Sequence, residues 1–201
     1  MKVTAAQKRF YENATLMAAA RLVFEKLASN NFPERALGDV ADTTSGGTPS
    51  RSNSAYYGGD IPWIKSGDLN DGLIIEVPER ITEDGLENSS AKVFPAGTLV
   101  IALYGATVGK TGILAFEAAS NQAVCAVIPK NEAIKRDYLH WFFRYKRPEF
   151  LSSSFGGAQP NISQSYLREI VIPIPPVGTQ LEICRFLNAV ERLSAVASLM
   201  V

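Results

Sequence analysis

Gly105-Ala-Thr-Val-Gly109-Lys110-Thr111 comes nearest to a known chemistry, because glycines ahead of Lys-Thr suggest a loop that cradles phosphate. Such a loop needs four residues between its glycines, so that successive backbone N–H groups surround the anion. Here Ala106, Thr107 and Val108 alone intervene, and Tyr104 stands where the first glycine should be. A phosphate loop also opens a helix, whereas the following Gly112-Ile-Leu-Ala-Phe116 reads as a strand. No later apolar run ends in an acidic residue placed to hold magnesium. The spacing predicts a glycine-rich hairpin with Lys110 near its tip.

Other catalytic groupings are missing. His140, the single histidine, sits in RDYLHWFF with no His or Cys at metal-ligand spacing, and reads as a packed or surface side chain. Ser152, Ser153 and Ser154 lie in no nucleophile elbow, and one histidine leaves little for a triad. There is no GxGxxG loop, no acidic cluster ending in a paired lysine, and no Asn/Asp-Pro-Pro-aromatic signature of amino-methyltransferases. The chain therefore reads as non-catalytic, with no metal and no cofactor of its own. Binding chemistry remains. Lys130, Lys135, Arg136, Arg144, Lys146 and Arg147 crowd together against Glu132 and Asp137. They read either as a solvated helix face or as a phosphate-contacting patch, with Arg136, Arg144 and Arg147 close enough around a helix to share a face.

Ser45–Leu69, SGGTPSRSNSAYYGGDIPWIKSGDL, is dense in Gly and carries Pro49, Pro62, Tyr56, Tyr57 and Trp63 without a steady helical or strand period. Gly and Pro fix sharp reversals, and the aromatics need something to pack on. An ordered loop system on a rigid base predicts a recognition surface.

The elements that must position these residues fall into three parts. Thr4 to about Ser29 reads as a helix, with Phe10, Ala14, Met17, Arg21, Phe24 and Ala28 recurring at three and four. Asn30, Asn31 and Pro33 stop it. From Ala36 to Pro176, short apolar runs between turn clusters read as strands: DIPWI, GLIIEV, TLVIALY, GILAF, AVCAVIP and IVIPIP. One helix, roughly Arg136 to Phe150, interrupts them with Leu139, Phe142 and Phe143 inward. Pro173, Pro175 and Pro176 then close the domain. Thr179-Gln-Leu-Glu182 reads as a capping box for a last helix, in which Ile183, Leu187, Val190, Ser194, Ala197 and Val201 keep a four-three spacing. The expected class is α+β: an N-terminal amphipathic helix over 1–31, a β-rich mixed domain over 35–176, and an incomplete C-terminal helix over 179–201. The two outer helices either form an antiparallel coiled-coil arm or pack on the domain.

Length and composition agree with one main domain plus an appendage: 201 residues, 46% of them hydrophobic. Twenty basic residues against 20 acidic ones argue against a generic polyanion binder. Cys125 and Cys184, in AVCAV and EICRF, read as buried thiols rather than a disulfide. The N-terminus has no apolar signal core, and no apolar run reaches membrane-spanning length. A soluble cytoplasmic protein is expected.

Six blocks follow one another in order: SGGTPS at 45–50, YYGGDIPWIKSGDL at 56–69, GTLVIALYGATVGKTGIL at 97–114, SNQAVCAVIP at 120–129, GGAQPNIS at 156–163 and IPIPPVGTQLEI at 172–183. Together they resemble the target-recognition domain of the DNA-specificity subunit of type I restriction-modification systems, over about 36 to 190. The resemblance implies sequence-specific double-stranded DNA recognition, each domain reading one half of a bipartite site. It implies helices that bind methyltransferase subunits, with a restriction motor-nuclease subunit joining for cleavage. S-adenosylmethionine and ATP are expected only on those partners. The family usually carries two recognition domains, so this chain is expected to be a half-subunit, with a homodimer through the helices as one way to rebuild the pair. An alternative is a half-subunit that acts mainly in assembly or regulation through its helices. The family also commonly has acidic residues where Gly178-Thr179 precede Gln180.

Because family members read different sequences, residues that carry the resemblance should be framework: Gly46, Gly47, Pro49, Trp63, Gly105 and Gly109. Readout then falls to polar residues of the less patterned loops. Arg51 and Asn53 are candidates, since Arg suits guanine and Asn suits adenine in the major groove. Lys65, Arg80, Lys92 and Lys110 are expected to reach phosphate or base, Tyr104 to face DNA beside Lys110, and Gln159 and Asn161 to be contacts or loop supports.

Overall fold

Leu99-Val-Ile-Ala102 is buried at every position, so this strand is covered on both faces. Alternate side chains go to different cores. Leu99, Ile101 and Leu103 join one cluster with helix residues, whereas Val100 and Ala102 join another that lies between two sheets. Cys125 and Val127 divide from Val124 and Ala126 in the same way. The sheet containing these strands is thus the middle layer of the protein.

The computed structural model describes residues 5–152 and 161–199. In chain order the elements are α1 (Ala5–Ala28), β1 (Glu34–Ala36), α2 (Leu37–Val40), β2 (Ala41–Ser45), β3 (Tyr57–Ile64), β4 (Leu73–Ile74), β5 (Arg80–Ile81), α3 (Glu83–Glu87), β6 (Lys92–Phe94), β7 (Leu99–Ala102), β8 (Thr111–Leu114), β9 (Ala118–Ser120), β10 (Val124–Pro129), α4 (Arg136–Ser152), α5 (Gln164–Glu169), β11 (Val171–Pro173) and α6 (Val177–Leu199). The middle sheet runs β2-β10-β7-β8-β4, and a second sheet runs β5-β3-β9-β6. A two-stranded pair, β1 with β11, brings Arg35 opposite Ile172. The expected α+β class is the observed one.

The helical layer covers one face of the middle sheet. α4 buries Tyr138, Leu139, Trp141, Phe142, Phe143 and Phe150, and Phe24 of α1 stacks on Tyr145 with ring centroids 5.0 Å apart. α1 and α6 touch each other and α4. Their inner residues, Leu16, Ala20, Phe24 and Leu27 on α1 and Ile183, Cys184 and Leu187 on α6, belong to one core with α4. This packing ties both helices to the domain, and it does not show a coiled-coil arm.

Two local expectations are corrected. The buried stripe of α1 is Leu16, Ala20, Phe24 and Leu27, while Ala14, Arg21 and Ala28 are exposed. An alanine-rich helix offers several tracks at three-four spacing, and the track with the larger apolar side chains is the one buried. The side chain of Phe10 lies outside the described residues. At the other end, α6 already begins at Val177, with Gln180 N–H donating to Pro176 O at 3.1 Å. Thr179 is therefore inside the first turn and is no N-cap. Gln180, fully buried, secures this end: its Nε2 donates to Ala133 O (2.8 Å) and Pro175 O (2.9 Å), and its Oε1 accepts from Lys135 N–H (2.9 Å).

Candidate nucleic-acid interface

β3 divides its side chains between two faces. Ile64 enters the inter-sheet core, and Trp63 points outward into a small cluster with Ile81, Ala91 and Ala119. A tryptophan on the outer face of a sheet needs a roof, and SGGTPS supplies it. Trp63 Nε1 donates to Gly47 O at 3.1 Å, Tyr57 OH donates to Pro49 O at 2.5 Å, and Gly47 N–H donates to Ser120 O at 2.9 Å. The roof lies so close that a Cβ on Gly46 would stand 1.9 Å from Ser120 O, and one on Gly47 2.1 Å from Ser90 Oγ. These glycines are required by backbone approach. The framework role expected for Gly46, Gly47, Pro49 and Trp63 has this geometry.

On that base the Arg51–Ser54 turn projects. Asn53 Oδ1 caps the short turn Ser54–Tyr56 by accepting from Ala55 N–H at 3.1 Å. Arg51 lies across the aromatic floor, its guanidinium carbon 4.4 Å from the Tyr57 ring centroid and 5.1 Å from that of Trp63. Arg51 Nη2 donates to Glu79 Oε2 at 2.8 Å, and Lys65 Nζ bonds the other oxygen, Oε1. The Lys65 ammonium, with Arg51, holds the Glu79 carboxyl below the usual range against the opposing effect of burial. Glu79 was not foreseen. Its partners lie 28 and 14 residues away, and no local pattern in GLIIEVPER marks it.

The remaining candidates divide. Arg80, on β5, donates from Nη1 to Asp60 O (2.7 Å), and Lys92, on β6, donates to Thr44 Oγ1 (2.7 Å), so these two occupy opposite edges of the second sheet. Tyr104, in the connection from β7 to β8, forms an isolated bridge with Asn161. Gln159 lies outside the described residues. The hairpin is as expected, with Gly105 and Gly109 at φ +74°. Three of its N–H groups are spent internally, Val108 on Gly105 O, Gly109 on Ala102 O and Lys110 on Thr107 O, and the chain goes on into β8 rather than into the helix a phosphate loop opens. Lys110 is half-buried, and its ammonium has no hydrogen-bond partner among the described residues.

The proposed phosphate patch on α4 does not form as expected. Arg144 is buried, with Nη1 donating to Glu191 Oε1 (2.8 Å) and its guanidinium 4.2 Å from the Trp141 ring centroid. Arg147 makes a bidentate pair with Asp71, Nη1 donating to Oδ2 at 2.7 Å and Nη2 to Oδ1. Arg136, a helix end away, is tied to Asp137 and to Gly97 O. The three do not present one cationic face, because Arg147 is paired with Asp71 and Arg144 with Glu191. Burial would raise the Asp71 carboxyl, but Arg147, the Thr111 N–H and Arg144 outweigh it and hold it low. His140 completes this network, its Nδ1 3.0 Å from Thr111 Oγ1, and burial lowers its pKa to about 4.

Among the described residues no group of three or more His, Cys, Asp or Glu could hold a metal, and no described helix is long and apolar enough to cross a membrane. Cys125 and Cys184 are free and buried, and burial pushes their thiols up to about 11 and about 12.

A rigid sheet framework, a braced polar loop roof and two helices docked on one core define a recognition module. The chain matches the type I restriction modification DNA specificity domain over residues 30–197, and it belongs to that family. It is 33% identical over 160 residues to the type I restriction enzyme MjaIX specificity subunit of Methanocaldococcus jannaschii, covering 77% of this chain and 37% of that protein. It is 28% identical to the EcoR124I/EcoR124II specificity subunit of Escherichia coli, covering 80% and 41%. The fold is shared with the HsdS subunit from Thermoanaerobacter tengcongensis (TM-score 0.65, 24% identity, 92% of this chain and 46% of that one) and with the S subunit from M. genitalium (TM-score 0.64, 16% identity, 94% and 50%). The chain thus spans less than half the length of the curated relatives named here.

Proposed function

We propose that this chain recognises one half of a bipartite double-stranded DNA site and directs partner methyltransferase and endonuclease subunits to it, carrying no catalytic chemistry itself. The observation that carries the reading is the braced Arg51–Lys65–Glu79 cluster on a loop framework within the span that matches the specificity-domain family. The cluster is exposed enough to meet a duplex, with the Arg51 side chain 54% accessible. Formal neutrality of the chain limits its affinity for phosphate, so a lone domain binds weakly and the assembled complex supplies the rest. S-adenosylmethionine and ATP belong to the partners. A cytoplasmic setting fits two free thiols and the DNA target.

The test is selection of bound duplexes from a randomised pool by the chain assembled with its methyltransferase subunit, followed by shift assays at several salt concentrations. Enrichment of a defined half-site, weakened by Arg51→Ala or Lys110→Ala, is the expected result. Binding untouched by both substitutions would mean that the recognition surface is misplaced.

A second reading, an assembly or regulatory half-subunit, is favoured by apolar side chains left outside on the helices: Leu22 on α1 and Phe186, Leu193 and Val196 on α6, each about half exposed or more. It predicts capture of methyltransferase subunits without any enriched DNA sequence.

A further inference from the structure

Glu79 presents a negative charge among the residues that the proposed function brings to DNA, where it repels phosphate. A lone surface ion pair adds little to stability, so the arrangement around this carboxylate needs another account. Three ties converge on Glu79, two of them on its carboxylate. Arg51 Nη2 bonds Oε2 at 2.8 Å, Lys65 Nζ bonds Oε1, and Trp63 N–H donates to the Glu79 backbone carbonyl at 2.9 Å. Trp63 and Tyr57 are also the aromatic floor under the Arg51 guanidinium. Glu79 directly precedes β5, which pairs with the β3 strand that carries the floor, so the carboxylate and the aromatic rings both contact the guanidinium from one strand pair and its edge.

The consequence lies in what remains free. Among the described residues Arg51 makes no hydrogen bond besides the one to Glu79. Its other N–H donors stay available as a planar fork, the geometry that pairs with O6 and N7 of guanine. An unsupported arginine on an exposed turn loses rotamer freedom on binding, and support in advance removes that loss. We infer that Glu79 is a specificity-positioning residue, orienting Arg51 to read a guanine edge while Lys65 offsets its charge. This rests on the DNA-recognition reading above. The cluster, two cations on one carboxylate, carries a formal charge of about +1 at neutral pH, and removing the carboxylate charge makes it about +2.

The two effects of Glu79→Gln then have opposite signs, which separates positioning from a structural role. Base discrimination at one position should fall by about tenfold, while binding to unrelated duplex stays equal or rises. Arg51→Lys, which keeps charge but loses the fork, should relax the same position, and the double variant should be no worse than Arg51→Lys alone. The measurement is selection from a randomised duplex pool by the chain assembled with its methyltransferase subunit, for wild type and the three variants, with thermal melts alongside. Unchanged discrimination in Glu79→Gln would overturn the inference, as would joint loss of specific and non-specific binding with a lowered melting temperature. If the wild type itself enriches no sequence, the DNA-recognition reading fails first, and that outcome is distinct from a wild type that reads DNA without Glu79.

Discussion

Gly46 and His140 show how single residues are fixed by what surrounds them. A methyl group at position 46 would stand 1.9 Å from the Ser120 carbonyl oxygen, with backbone rather than a pliable side chain in the way. Gly46→Ala should destabilise the protein by roughly 1–3 kcal/mol or displace the roof over Trp63, read by chemical denaturation and tryptophan fluorescence. His140 is buried beside Arg144 and Thr111, and its pKa falls from 6.5 to about 4. The unfolded chain therefore binds this proton first as pH falls. The stabilisation is fully present above pH 6.5 and is lost as pH drops toward about 4, a change on the order of 3 kcal/mol at most. Unfolding midpoints measured from pH 7 to 4.5 should decline, and His140→Gln should flatten that decline. The chemistry of these residues was visible in the sequence, but not their neighbours. His140 was legible as a packed or surface histidine, and only the fold shows which.

At the scale of elements, ties between distant segments replace the local signals that sequence offers. Asp71 links the turn before β4 to α4 through Arg147, and Arg144 carries the link to Glu191 on α6. Asp71→Asn leaves the half-buried Arg147 without its counter-charge and should cost roughly 1–3 kcal/mol, read as a lower denaturation midpoint. Under the proposed function its effect on DNA binding should follow stability, since Arg144 and Arg147 are committed to Glu191 and Asp71. Gln180 similarly joins the start of α6 to the strand-to-helix turn at Ala133 and Lys135. Gln180→Ala leaves several buried polar groups unpaired and should cost roughly 2 kcal/mol. The sequence located the start of the last helix within two residues and named the wrong cap, because a Thr-x-x-Glu pattern is a local signal, whereas the strand ends at Pro173 and the helix already starts after Pro176. The strand runs were mostly legible. GLIIEV was not, since only Leu73–Ile74 pairs and Ile75 is exposed.

For the whole molecule, three layers decide which surfaces are left for partners. The middle sheet is covered by helices on one side and by the second sheet on the other, so the loop roof and the outer faces of α1 and α6 are what face outward. If the proposed assembly with a methyltransferase subunit uses these faces, Leu193→Asp and Phe186→Asp, at positions 70% and 51% exposed, should leave the fold intact and weaken its capture severalfold, measured by co-sedimentation. Ordered glycine, proline and aromatic blocks were enough to give the α+β class and the family, because these residues fix backbone geometry that the chain cannot alter without losing the fold. The Arg51–Lys65–Glu79 cluster proposed for recognition was half legible as a cluster of charges. Arg51 and Lys65 stand out as polar residues in a patterned loop, whereas Glu79 belongs to the cluster only because β3 pairs with β5. The cationic run at 130–147 illustrates the converse, since its charges were plain but the carboxylates that absorb Arg144 and Arg147 come from residues 71 and 191. Sequence alone determined which residues could bend, pack or carry charge. Only tertiary structure decided which charges face outward, because pairing depends on distances between segments that no local spacing encodes.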